Sequence, residues 1–278
     1  MISNALELMV PILIAALGGV LTERAGVLNI GLEGLILAGA FAAVAGANAT
    51  GSLAAGLLAG GAAGALLATV YSVACIEMRA NIFVAGLATN LLAAGLVPYA
   101  SALLFGTRGV VRLVPEPGFP AVLGVPLMVV VAAALAIATS VALFRTPFGM
   151  RLRATGGNPE ALLARALSPD RYRRIAMVLS GVLAGFAGAE VSLRLGVYLP
   201  NISAGRGWIA LVAVFLGMRH PIGAVGAALV FALFESFAGA AQGFTEIPGT
   251  LLLGLPYLIT LAAMVGYSAV GRRSRVER

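Results

Sequence analysis

Of the chain's 278 residues 60% are hydrophobic and only 10% charged, with a mean hydropathy of +1.02; this leaves too little polar surface to cover a soluble globule and calls for lipid as the solvent. The formal net charge of +7 comes from 18 arginines and no lysine set against 11 acids. The arginines lie beside apolar runs and not in one aromatic-laced patch, which argues against nucleic acid and for a lipid membrane.

Breaks at Gly, Pro and charge divide the chain into apolar runs near 5–21, 27–46, 52–75, 81–106, 121–144, 175–195, 207–218, 222–241 and 249–270. The expected fold class is therefore all-α: a polytopic transmembrane helix bundle of about nine spans, forming one membrane domain over residues 1–278. The first run is not preceded by Arg, has Glu7 near its start and is followed by further spans, so it reads as a retained helix and not as a secretory signal. The second carries Asn29 and Glu33. The third presents Gly56, Gly60 and Gly64 at a spacing of four, a face that lets helix backbones approach closely. Cys75 closes that run and reads as a small buried packing residue; alone it permits no intrachain disulfide and no thiolate metal cluster. The fourth run contains Asn90.

The longest polar stretch, residues 145–174, holds seven arginines against Glu160 and Asp170, and the tail 271–278 holds four against Glu277. Both belong in the cytoplasm by the charge bias of membrane loops. Four spans lie between them, and counting backwards places Met1 outside and the C-terminus inside. On this topology 14 arginines fall on the cytoplasmic side and four (Arg108, Arg112, Arg194 and Arg206) on the outer side. Within the stretch, glycines at 156 and 157 end one element, Asn158 suits a helix cap, Pro159 its first position and Glu160 its positive end. A short amphipathic helix is expected from Pro159 to about Leu167, with Leu162, Leu163 and Ala166 on one side. Its position fits either a docking knob for another protein or a helix lying on head groups.

The sixth run repeats the small-residue spacing at Gly181 and Gly185, and pairs Glu190 with Arg194 at i+4, an ion pair near the outer surface. The seventh, twelve residues or about 18 Å of helix, is too short for a hydrocarbon core of about 30 Å. It reads as a short or discontinuous helix over 207–218, extended by an irregular segment over 199–206. His220 is a loop residue in the break that follows. Glu235 lies in the eighth run and Glu246 before the ninth. Neither Glu33 nor Glu235 has a partner close in sequence, and a place on a solute path and a buried structural hydrogen bond fit both equally. Asn29 and Asn90 belong with them, with a stronger lean towards helix-to-helix hydrogen bonding.

Several chemistries are missing. Without lysine there is no P-loop; one His and one Cys make neither a His-rich zinc site nor a thiol–imidazole pair; one Asp makes no aspartate dyad. No catalytic residue, metal site or cofactor is expected, and few, scattered acids count against a proton-coupled carrier. Transport of a small solute is the reading that remains, with a secondary transporter or channel needing no ATPase as the alternative.

Two stretches carry a resemblance: residues 23–34, ERAGVLNIGLEG, and GNPEA at 157–161 continuing through LSGVLAGFAG at 179–188. They are similar to the permease subunits of bacterial ABC importers of the branched-chain amino acid, ribose and nucleoside group, the first stretch most of all to the nucleoside or simple-sugar branch. The resemblance implies ABC ATPase subunits as partners, a second permease, commonly a different chain, and an extracytoplasmic solute-binding protein, all at the inner (cytoplasmic) membrane. It also implies that Gly157, Asn158, Pro159, Glu160, Leu163 and Arg165 belong to a coupling helix seated in an ATPase groove, so that hydrolysis resides on another chain. Asn29, Glu33, Asn90 and Glu235 would line the path, and alternating access would release a nucleoside, purine or simple sugar inward. Family members often read AARxAGI after the Asn-Pro, where this chain has LLARAL at 162–167.

Overall fold

The computed structural model describes residues 2–241 apart from Pro117 and Leu123. In chain order the helices are α1 (Ile2–Arg24), α2 (Leu32–Thr50), α3 (Leu53–Ser72), α4 (Ile82–Phe105), α5 (Leu127–Arg145), α6 (Pro147–Gly157), α7 (Pro159–Leu163), α8 (Pro169–Leu195), α9 (Arg206–Leu216) and α10 (Pro221–Ala241). A π-helical turn, Val73–Glu77, prolongs α3. Seven of these helices are long and apolar enough to cross a membrane. α9 has 11 residues, about 16 Å, and crosses only half of a hydrocarbon core. The candidate ninth span at 249–270 lies outside the described residues, as do Glu246 and the basic tail.

The bundle is organised around α1, 83% of whose span is buried, with α8 and α2 beside it; α3, α4 and α5 form an outer sleeve, α4 only 22% buried. Val10 and Ile12–Leu17 are inaccessible. The glycine stripes work inside the chain. A side chain at Gly64 would strike the carbonyl of Gly181, one at Gly185 the carbonyl of Gly60, and one at Gly188 the carbonyl of Ile36. Backbone therefore lies on backbone where α2, α3 and α8 cross, the arrangement small residues permit when lipid provides no hydrophobic drive for helix association.

The helix ends fall on two faces. One carries α6 and α7, the Glu23–Arg219 pair (3.0 Å), and Arg24 and Arg153 over the ring of Phe144. The other carries two-residue strands β1 (Val111–Arg112) and β4 (Val197–Tyr198), paired antiparallel, and a tight hairpin of β2 (Ala121–Val122) and β3 (Val125–Pro126). There Asn48 holds the β1 loop through the Arg112 carbonyl and the Val114 N–H, and Arg194 bonds Glu190 at 2.8 Å with Glu7 at 3.7 Å.

Several expectations need correction. Helix α2 begins at Leu32 and not at residue 27, because Gly26 takes a positive φ of 74° and residues 25–31 run as an irregular connector. The first residues of the fifth run form the β2–β3 hairpin. The polar stretch 145–174 is mostly helical: α6 precedes α7, and α8 starts with Pro169 at its first position. Helix α7 is shorter than expected, since Ala166 turns left-handed (φ 55°) and the Leu167 N–H donates back to the Leu162 carbonyl at 3.0 Å. Leu162 and Leu163 do not share a face: the first is buried, the second exposed. Cys75 is half-buried in the π-helical turn and not enclosed. Arg206, expected on the outer side, is inside the bundle.

Candidate functional site

Helices α2 and α9 both begin inside the bundle, and their free N–H groups need partners there. The connector 25–31 brings Asn29 against α8, where its Nδ2 donates to Ser180 Oγ at 2.8 Å and its Oδ1 accepts the Gly31 N–H at 3.0 Å. Asn90, on α4, accepts the Gly34 N–H through Oδ1 (2.8 Å) and donates through Nδ2 to the Ile30 carbonyl (3.0 Å). Its amide stands where a peptide group would continue the helix, and so closes the first turn of α2.

Glu33 closes the first turn of α9. Its Oε1 accepts the Gly205 N–H and its Oε2 the Gly207 N–H, each at 2.8 Å. One carboxylate thus sits in the first turn of α2 and against the start of α9, where the positive ends of both helices stabilise a negative charge. Only glycine fits at 207, because a Cβ there would run into the backbone nitrogen of Glu33. The neighbouring Arg206 donates from Nη2 to Glu235 Oε1 on α10 (2.9 Å) and from Nη1 to the Ile202 carbonyl (3.2 Å). Among the described residues, Arg206 Nε and Glu235 Oε2 have no hydrogen-bond partner. Two acids and one arginine thus meet at this junction. The start of α9 is about 16 Å along the helix from its other end, roughly half the thickness of a hydrocarbon core of about 30 Å.

Of the residues proposed for the path, the structure brings Glu33, Asn29 and Asn90 to one place and adds Glu235 through Arg206. Asn29 is fully buried with both amide atoms engaged, so its place is behind the junction and not on an open surface. Ser180, Gly205, Arg206 and Gly207 escaped sequence reasoning. A span too short to cross, preceded by Gly-Arg-Gly, was the available signal for the last three.

The second polar region is the hairpin on the arginine-rich face. Thr146 caps α6 by accepting the Gly149 N–H (3.1 Å), and Asn158 caps α7 by accepting the Ala161 N–H (3.2 Å), with Pro147 and Pro159 at the first helical positions. Gly157, Asn158, Glu160 and Arg165 are exposed, Pro159 is half-buried, and Leu163 has 60% of its surface in the open. A groove of about 500 Å³ separates the two helices, lined among others by Met150, Arg151, Leu162 and Arg165. Behind the hairpin, Gly156 presses on the connector: a Cβ at Gly26 would stand 2.9 Å from the Gly156 Cα. The hairpin and the junction are therefore linked by seven residues of backbone, 26–32.

Comparison with known proteins decides the family. Residues 1–265 match the family model described as the permease component of the branched-chain amino acid transport system. This chain belongs to that permease family. It is 34% identical to the guanosine ABC transporter permease protein NupQ of Bacillus subtilis, over 94% of this chain and 89% of the relative. The nucleoside ABC transporter permease protein NupC of Lactococcus lactis is 32% identical, with 95% and 90% covered. In fold, the permease is similar to a solved ABC transporter of metal-chelate type in an inward-facing conformation (TM-score 0.57, 16% identity, 95% of this chain and 85% of that one). The permease is a membrane-embedded transport component and not an enzyme.

Proposed function

We propose that this permease imports a nucleoside or a related purine or sugar compound across the inner membrane by alternating access. Its partners are ABC ATPase subunits, a second and different permease chain, and an extracytoplasmic solute-binding protein. The solute class rests on full-length similarity to guanosine and nucleoside permeases. The arginine-rich face is the cytoplasmic one, by the charge bias of membrane loops, which puts the C-terminus inside. Residues 145–174 form the coupling region, in which Gly157, Asn158, Pro159, Glu160, Leu163 and Arg165 meet the ATPase.

The observation that carries this reading is the backbone contact of Gly156 with Gly26. A movement of the exposed hairpin reaches the connector directly, and the connector ends in the first turn of α2, where Glu33 holds the start of α9. The ATPase must grip α7 differently in its two states, since equal affinity for both would shift nothing. Glu33, Asn90 and Glu235 border the path, Arg206 holds the Glu235 side chain in place, and Asn29 fixes the connector behind them. Discontinuous helices whose ends meet near mid-membrane are a recurrent way to build such a site.

The test is a pull-down of the tagged permease from its native membrane in mild detergent, beside a variant lacking 158–167, joined to uptake of radiolabelled guanosine with competing ribose or leucine. An ATPase that co-purifies with the intact chain and is lost from the correctly inserted variant is the expected result. A folded permease that repeatedly emerges without an ATPase, or uptake that survives ATP depletion and collapses with the ion gradient, would sink the proposal.

A further inference from the structure

Along the first three turns of α8 runs a cleft of about 690 Å³, lined among the described residues by Ser168, Arg171, Arg174, Ile175, Val178 and Leu179. Their order is polar and then apolar: one hydroxyl and two guanidinium groups over 168–174, three aliphatic side chains over 175–179. From Arg171 to Leu179 is about 12 Å along the helix, so the change occurs within the depth over which head groups give way to acyl chains. Ser180, the next residue, is already buried against α1 and Asn29.

The neighbouring acids are committed elsewhere or shared. Asp170 pairs with Arg173 at 2.9 Å, and Glu77 with Arg174 at 3.0 Å through side chains that are both about half exposed. Arg171 is exposed and makes no ion pair among the described residues. The head of the cleft therefore keeps positive charge to spare, over a floor that water solvates poorly. A soluble anion would leave Ile175, Val178 and Leu179 wet, and a zwitterionic lipid would leave the spare charge uncompensated. We propose that the cleft binds an anionic phospholipid, its phosphate at Arg171 and Arg174 and an acyl chain along Ile175, Val178 and Leu179, as basic clefts at the cytoplasmic membrane surface do. Helix α8 follows the α7 turn directly, so the bound lipid stands at the root of the hairpin. The inference depends on neither the solute nor the ATPase.

The full-length permease is reconstituted in nanodiscs of equal parts phosphatidylglycerol and phosphatidylcholine, and the lipids retained on release are counted by native mass spectrometry. Wild type is expected to keep phosphatidylglycerol over phosphatidylcholine by about tenfold. Arg171→Gln with Arg174→Gln is expected to lose most of that preference, and Val178→Trp, which fills the apolar half but keeps the charge, to lose bound lipid as well. The control is Arg145→Gln with Arg219→Gln, which removes the same charge from the same face at residues that do not line the cleft and should retain it. An equal fall in the control would make the effect general surface attraction and overturn the site. So would displacement of the lipid by inorganic phosphate, or no retention by wild type.

Discussion

In the hairpin of α6 and α7 the side-chain hydrogen bonds that shape the backbone close within three or four residues, Thr146 with Gly149 and Asn158 with Ala161 among them. In the buried junction a few bonds are local, Asn29 with Gly31 and Arg206 with Ile202, but those that close the helix starts reach across 56 to 174 residues, from Asn90 to Gly34 and from Glu33 to Gly207. The hairpin can therefore keep its shape on local terms while it changes partners. The junction exists only once α2, α4, α8 and α9 are assembled, and anything that moves it must move whole helices. A coupling element and a path element have these two requirements, and the contrast can be tested from the inside outwards.

Glu33→Gln should have the largest effect. An amide has one oxygen to offer where the carboxylate has two, and its NH₂ would face a backbone N–H. Hydrogen bonds to a charged group contribute about 1.5–3 kcal/mol each, and the orphaned donor adds a desolvation cost. Uptake should fall by more than about tenfold, with a lower thermal midpoint in detergent. Unchanged uptake at normal expression would show that the cap is dispensable and remove Glu33 from the path.

Next comes the pair Arg206–Glu235. Removing one partner leaves an uncompensated charge in the interior, which costs about 3–5 kcal/mol when fully buried. Side-chain exposures of 14% and 27% reduce this to about 1–3 kcal/mol here. Arg206→Met and Glu235→Leu should each destabilise more than the two together, and a double-mutant cycle measures that coupling. Additive effects would mean that the two groups meet without depending on each other.

These two sites also mark where the sequence stops being legible. The number and order of the apolar helices up to residue 241, the half-length of α9, the glycine crossings, the Glu190–Arg194 pair and the α7 cap all follow from hydropathy, spacing or local capping. Arg206 misleads because an arginine beside an apolar run ordinarily marks the membrane surface, and its partner lies 29 residues away on another helix. The connector 25–31 misleads because apolar residues bury equally well in or out of a helix; only Gly26, Asn29 and Gly31 hint at the break. Residues 147–157 fail in the opposite sense, since their polarity suggests a loop although Thr146 and Pro147 start a helix.

Between the two regions, Gly156→Val tests the link itself. The new side chain would meet the Arg24 carbonyl at about van der Waals overlap, and overpacking of this kind costs about 1–3 kcal/mol. The exposed surface of α7 is untouched. Uptake should fall while the ATPase still co-purifies; loss of both together would place the defect in folding and break the argument for transmission. Asn158→Ala should be milder, removing one cap for about 1 kcal/mol and weakening ATPase retention several-fold with the interior intact.

Leu163→Ser has the smallest expected effect on the permease alone, and for that reason separates the two regions most cleanly. The side chain is 60% exposed beyond the polar end of the bundle, so its loss should move stability by less than about 0.5 kcal/mol. An apolar side chain presented to water on a capped helix gains by being covered, and in the proposed complex the ATPase covers it. ATPase retention should therefore drop while the thermal midpoint of the isolated permease stays where it was. A drop in both would show that Leu163 packs within the permease. No drop in either would move the contact to the groove beside it, where Met150 and Arg151 are the next residues to change.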